Sequence, residues 1–393
     1  MVRYRIGIDL GTTNCALASI PASDHDAHST VLDIPQQETA HSSAAHTTLP
    51  SFLYLPAEAT NKSWIAGQWA RSRAGEVPGR VISSAKSWLV HHAADRRARF
   101  LPLGTADIAA EDQLSPVQAL STLLRDLSQA WNAAHPDAPL VHQDLAITVP
   151  ASFDPAAQQL TLEAAKEAGF PESTILLEEP QAAFYAWLEN QGADWRKQVQ
   201  SGDLLLVCDV GGGTADFSLI AVTGHDGNLA LERIAVGEHL LLGGDNMDLA
   251  LAHDVSEKLD AAGSVLDDWQ FLALVQSTRA AKESLLSDPS LKEVPIAIPT
   301  RSSRLIASTL STTLTREQVD QIVLDGFLPL VAADEMPSLR RAGGLRESGL
   351  PYAADAAISK HLARFLTRAK ANITSSPQLL ESVGGSAKID SAP

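Results

Sequence analysis

The stretch Leu204–Leu219, LLLVCDVGGGTADFSL, constrains this chain more than any other. An apolar run ends in the carboxylate Asp209; Gly211, Gly212, Gly213 and Thr214 follow, then a second carboxylate, Asp216, and a second apolar run. This predicts a β-hairpin: a buried strand, a turn that only glycine can make, and a return strand. Successive backbone N–H groups in such a turn point into one concavity, which holds phosphate without bulk. The two aspartates flank that concavity, where a bound Mg²⁺ and its waters need oxygen ligands.

The device occurs a second time near the start. Tyr4–Ala18 reads YRIGIDLGTTNCALA: an apolar strand, Asp9, Gly11, Thr12 and Thr13, then another apolar run. Superposing Asp9 on Asp209 aligns Gly11 with Gly211, and Thr12 and Thr13 with two of the glycines. A triple glycine alone is an ordinary turn. Two such hairpins far apart, each with an aspartate at the strand end, predict a duplicated lobe in which each copy offers a phosphate loop to a shared cleft.

Composition bounds the partners. A chain of 393 residues with 45% hydrophobic and 20% charged residues is long enough for two lobes with separate cores. A formal charge of −17 argues against nucleic acid or an anionic membrane as the main partner. An acidic protein that binds an acidic nucleotide must do so with local backbone donors and metal. Two cysteines, Cys15 and Cys208, make no disulfide framework, and both are expected as buried thiols in strands. The first strand begins almost at residue 1, leaving no room for a signal peptide, and no apolar run is long enough to cross a bilayer. The expected compartment is the cytoplasm.

IGIDLGTTN and DVGGGTADFSL resemble the two phosphate motifs of the actin, sugar-kinase and heat-shock ATPase superfamily. Their wording is most similar to the 70-kDa heat-shock (DnaK-type) chaperones, and the resemblance covers most of residues 1–330. It implies an α/β fold of two ribonuclease-H-like lobes, each with a smaller subdomain, around a nucleotide cleft. By this resemblance the first lobe spans residues 1–190 with an insert near 48–112, and the second spans 191–393 with an insert near 244–312.

The resemblance also implies a site. ATP or ADP with Mg²⁺ lies in the cleft, cradled by Gly11, Thr12, Thr13, Asn14, Gly211, Gly212, Gly213 and Thr214. Asp9, Glu179, Asp209 and Asp216 hold the metal through waters, with a monovalent cation such as K⁺ near Asp216. VISSAKSWL matches the segment whose lysine enters the cleft, which makes Lys86 the residue that orients water for attack on the γ-phosphate. Read alone, Lys86 is a solvated helix residue, and Glu179, just before Pro180, is an acid at a helix N-terminus. GEHLLLGGDNMD adds Gly243, Gly244 and Asp245, and RAAKESLLS keeps Lys282 for the adenosine, with Arg279, Glu283 and Leu286 where the family has other types. Pro150 matches the family's relay proline, but Gln158 stands where a relay arginine is usual. Val383–Ile389 has the letters of the adenosine motif, which would add Gly384, Gly385 and Ser386. The preceding SSPQLLES lacks a continuous apolar strand, so the alternative is a loop here with the adenosine strand beyond residue 393.

The expected activity is slow Mg-dependent ATP hydrolysis, in which lobe closure controls a peptide-binding domain, with co-chaperones and a nucleotide exchange factor as partners. The family's final acidic helix, interdomain linker and peptide-binding domain have no counterpart here, so the ATPase part of a longer protein or a shortened form is expected. The alternatives are a sugar- or acetate-type kinase, a non-hydrolysing nucleotide-gated scaffold, and an actin-like filament protein. Outside the two hairpins the sequence predicts helices over Ile65–Arg71, Pro78–His91, Ser115–Ala134, Thr315–Gly326 and Ala353–Lys370, and a polar stretch over Ser23–Thr48 that includes a long loop.

Overall fold

A hairpin opens the chain: Tyr4–Leu10 (β1) pairs antiparallel with Asn14–Pro21 (β2), and Asp9 lies opposite Ala16. The computed structural model describes residues 2–24, 27–57, 63–91, 94–225, 228–238, 240–299, 309–338, 353–377 and 380. Thr30–Val31 (β3) continues the sheet, and Ile34–Gln37 (β4) with Ser43–His46 (β5) forms a separate hairpin. The polar stretch after β2 thus carries three short strands between its loops. Its apolar Ile34 is buried in the core, an anchor that a reading of overall polarity misses.

Leu49–Pro50 (β6) pairs with β2, and Leu53–Tyr54 (β7), Ile65–Ala66 (β8) and Val81–Ile82 (β9) make a small sheet. The helix Gln68–Arg73 (α1) starts only after Gly67. The expected helix over Pro78–His91 is instead a 3₁₀ turn (Pro78–Arg80), then β9, then a second 3₁₀ turn over Ala85–Val90. Pro116–Ala134 (α2) follows, its Ser115 cap and Gln118 exchanging hydrogen bonds in a capping box.

Asp144–Val149 (β10) lies parallel to β1. Pro155–Glu167 (α3) is capped by the Asp154 carboxylate, which accepts from Ala157 N at 2.7 Å, and Gly169 leaves it with φ +86°. Ile175–Glu178 (β11) joins β10, giving the order β11-β10-β1-β2-β3 with β6 against β2. Glu179–Gln191 (α4), with Pro180 in its first turn, and the short Trp195–Gln198 (α5) lead to the second half.

There Leu204–Val210 (β12), Ala215–His225 (β13) and Asn228–Val236 (β14) repeat the antiparallel β1-β2-β3 arrangement. Among the described residues β12 has no neighbour on its far side, where β1 has β10, and its Leu206 and Val210 are 40% and 43% exposed. Gly244–Ala261 (α6) and Asp268–Ser287 (α7) form a pair beside the hairpin Glu293–Pro299 (β15) and Thr309–Thr315 (β16). Arg316–Val319 (α8) runs into a π-helical turn, Asp320–Asp325. Among the described residues the last named helix, Ile358–Ser375 (α9), begins and ends later than its sequence pattern predicts.

Each half has its own core. One gathers Ile6, Ile8, Leu17, Leu120, Leu124, Ile147 and Leu160; the other gathers Phe217, Leu251, Leu274, Ile296, Val319 and Phe365. The two-lobed α/β expectation holds. Leu305–Ser308, Val383–Ile389 and most of Glu335–Pro351 lie outside the described residues.

Candidate functional site

Both glycine hairpins open onto one cavity of about 680 Å³. Its walls include Asp9, Gly11, Thr12, Thr13 and Asn14 from the first hairpin, and Asp209, Gly211, Gly212 and Thr214 from the second. Lys86, Thr148, Glu179 and the alanines Ala182, Ala183 and Ala186 of α4 add to them. Asp9 and Asp209 each stand one residue before the end of their strand, so the duplication places two carboxylates at equivalent points of one cleft.

The glycines are needed for a reason other than the expected one. None of Gly211, Gly212 and Gly213 has a positive φ. A Cβ at Gly212 would lie 1.9 Å from Thr13 Oγ1, and one at Gly213 would lie 2.6 Å from Ser87 Oγ and 2.9 Å from Thr12 Cγ2. At Gly212 and Gly213 the loops approach too closely for a side chain, whereas a Cβ at Gly211 would meet only Thr214 O, at 3.6 Å.

Lys86 is carried in by the buried turn Ala85–Val90 and is only 7% exposed. Its ammonium donates to Glu179 Oε1 at 2.7 Å and lies 5.7 Å from the centre of the Phe153 ring. Burial pushes the Glu179 carboxyl above the usual carboxylate range against the pull of Lys86, and burial with nearby Asp216 does the same to Asp209. Both carboxyls thus bind protons more tightly in the folded state than in the unfolded one. Their contribution to stability is lost as pH rises from the ordinary carboxylate value through the raised one, and at neutral pH their charges oppose folding. Asp209→Asn is therefore expected to unfold at a temperature no lower than wild type at pH 7 without added metal, with the advantage shrinking as pH falls toward the ordinary carboxylate value and gone below about pH 4. Scanning calorimetry at the two pH values tests this; a variant clearly less stable at pH 7 would contradict it.

Two fastenings were not legible in the sequence. Thr148 Oγ1 donates to Asp9 Oδ1 at 2.9 Å, because β10 lies parallel to β1 and brings Thr148 beside the aspartate. Ser51 Oγ donates to Gly11 O at 2.7 Å, and its backbone N–H donates to Thr13 O at 2.8 Å, clamping the first loop. Cys15 is buried beside Ser51, and burial raises its thiol to about 11, so it is inert at neutral pH. Cys208 departs from expectation: it is exposed on edge strand β12 and lines the cavity.

Other candidates point away from the cavity. Gly244 N and Asp245 N donate to Gly211 O and Gly212 O at 3.0 and 2.7 Å, so the start of α6 supports the second loop from behind. The Asp245 carboxylate accepts from Ser84 Oγ at 2.6 Å and pairs with Arg279 at 2.5 Å. Arg279 also meets Asp248 at 2.7 Å, and Lys282, expected at the base, meets Asp248 at 2.6 Å and Gly244 O at 3.2 Å. This four-charge cluster is buried: the most exposed side chains in it reach 10%. Asp216, 3% exposed, accepts a hydrogen bond from Ser152 Oγ. Gln158, at the relay position, donates to Phe153 O at 3.2 Å. Gly384, Gly385 and Ser386 lie outside the described residues.

Among the described residues no three His, Cys, Asp or Glu side chains converge tightly enough to cage a metal directly, and no helix is long and apolar enough to cross a membrane. The donor set nevertheless suits a hydrated hard cation: three carboxylates on one cavity, with a single ammonium against them.

Comparison with known proteins agrees with this architecture. The chain is similar to a chaperone protein HscA homolog of Bordetella pertussis (32% identical over 359 residues, covering 88% of this chain and 50% of that protein). It is similar also to the chaperone proteins HscA of Photorhabdus laumondii (30% identical; 75% and 44% covered) and Cronobacter sakazakii (30% identical; 88% and 50% covered). The chain spans about half the length of these curated relatives. A family model described as Hsp70 protein matches residues 5–333, which include both hairpins, the Lys86 turn, Glu179 and the buried charge cluster. The chain belongs to the Hsp70 family, with its actin-like two-lobed ATPase fold.

Proposed function

We propose that this chain is the ATP-binding and ATP-hydrolysing unit of a heat-shock-type chaperone, in which nucleotide-dependent lobe closure controls a peptide-binding partner. The observation that carries this reading is the pair of glycine hairpins facing each other across one cavity, with Lys86 and Glu179 at its edge. The backbone of residues 11–14 and 211–214 holds the phosphates. Mg²⁺, when bound, supplies charge neutralisation of the phosphates, and Asp9, Glu179 and Asp209 would hold its waters, with Asp216 behind them. Lys86 orients the attacking water and offsets charge developing on the γ-phosphate oxygens. The alanine face of α4 leaves the cavity room for the nucleotide. Turnover is slow, because the chain supplies positioning and one ammonium rather than a strong general base.

The same reading divides the lobes near residue 190, with smaller subdomains over about 48–112 and 244–312. It places the protein in the cytoplasm, with co-chaperones and an exchange factor as partners, and a monovalent cation such as K⁺ near Asp216. The relatives named above carry "chaperone" in their names, which supports the functional class.

Calorimetric titration tests this first. Mg·ATP and Mg·ADP should bind the chain at micromolar affinity or better, with phosphate released slowly afterwards. Asp9→Asn and Asp209→Asn should each lower metal-dependent turnover by orders of magnitude. Absence of binding heat, or full turnover in both variants, refutes the assignment.

A further inference from the structure

We propose that Asp245 is a positioning residue for Lys86, acting through Ser84, so that the ammonium is in place only while the second lobe is closed on the first. This rests on the ATPase reading above and adds to it a device that ties hydrolysis to closure.

Ser84 stands two residues before Lys86. It has φ 53° and ψ 29°, and among the described residues it is the one non-glycine residue with positive φ. An L-residue avoids this conformation unless its surroundings impose it. The Ser84 hydroxyl does not cap the turn it precedes. It donates across the boundary between the lobes, behind the cavity, to Asp245 Oδ2 at 2.6 Å.

Asp245 is itself fixed to the second lobe at two points. Its carboxylate pairs with Arg279, and its backbone N–H donates to Gly212 O at 2.7 Å, inside the second phosphate loop. On the other side of Lys86, the buried Ser87 sits against Gly213, where a Cβ would come within 2.6 Å of its Oγ. Lys86 is therefore bracketed by two residues that lean on the second lobe, although the turn that carries it belongs to the first. Separation of the lobes removes the partner that holds Ser84 left-handed. The backbone then relaxes to an ordinary conformation and swings the Lys86 stem off the Glu179 contact.

The test compares the full chain as wild type, Ser84→Ala, Ser84→Gly, Lys86→Ala and the Ser84→Ala/Lys86→Ala pair. Glycine tolerates the left-handed backbone and alanine does not, yet neither has the hydroxyl, so agreement between them isolates the hydrogen bond from strain. Single-turnover hydrolysis should fall about 10- to 100-fold in both Ser84 variants, with ATP affinity unchanged. Ser84→Ala should cost nothing further once Lys86 is alanine, because the bond acts through that ammonium. Amide exchange over residues 85–90 should quicken in both Ser84 variants, with or without nucleotide. Unchanged exchange, or the same fold-loss in the Lys86→Ala background, overturns the proposal. A wild-type chain that fails to bind ATP defeats the ATPase reading alone, since the exchange measurement on nucleotide-free protein still decides whether Asp245 and Ser84 hold the turn.

Discussion

Replacing Lys86 by alanine is expected to slow ATP hydrolysis by roughly 10²- to 10³-fold, the usual cost of removing one preorganised donor from a reacting oxyanion. Nucleotide affinity should stay near that of wild type, because on the proposed reading the phosphates are held by the backbone of two loops and not by the ammonium. The buried setting explains the size of the effect. Lys86 is 7% exposed and held 2.7 Å from Glu179, so its charge is weakly screened and already aimed before nucleotide arrives. Its loss also removes the one cation that offsets burial at Glu179, so the acidic limb of any residual activity should move to higher pH. Single-turnover rates across pH, with calorimetric affinities beside them, test both statements. A variant that keeps its rate removes Lys86 from the mechanism.

Arg279→Ala is expected to destabilise the protein by about 3–5 kcal/mol, as when one partner of a buried ion pair is removed. Arg279 is the hinge of the charge cluster: it bridges Asp245 at 2.5 Å and Asp248 at 2.7 Å, and its guanidinium lies 5.5 Å from the centre of the Phe52 ring in the first lobe. Without it Lys282 alone must balance two buried carboxylates. Burial already pushes the Asp245 carboxyl upward, with Arg279 as the strongest opposing influence, so the variant should take up a proton there on folding. Urea unfolding gives the magnitude. A loss below about 1 kcal/mol would place the cluster among the solvent-screened pairs instead. Combining Arg279→Ala with Asp248→Asn should cost less than the sum of the two, since each removes the reason for the other.

The elements that read correctly from sequence are those set by local chemistry. The capping residues Ser115 and Asp154, with a proline after each, mark the starts of α2 and α3 wherever the chain goes next. The hairpins were legible because alternating burial and a glycine turn lie within a few residues of each other. The misreadings have a common cause. VISSAKSWL has helical spacing, yet it is bound on one side to β7 and on the other to the second lobe, and these contacts break it into strand and 3₁₀ turn. Ser23–Thr48 is polar on average and does contain loop, but Ile34 and Gln36 are buried and short strands there pair, which average polarity does not reveal. Arg279 was visible only as an unusual letter, and its two carboxylate partners lie more than thirty residues away.

The sequence by itself determined that two carboxylate-glycine hairpins exist, where their aspartates stand, and which family they resemble, because each motif is carried by bonds and turns a few residues long. Only the tertiary structure decided that Thr148 orients Asp9, that Ser51 clamps the first loop, and that Asp245 and Lys282 face a buried charge cluster rather than the cavity. Those outcomes depend on strand register and on lobe-to-lobe approach. Both are settled by packing between segments far apart in the chain, which no local spacing encodes.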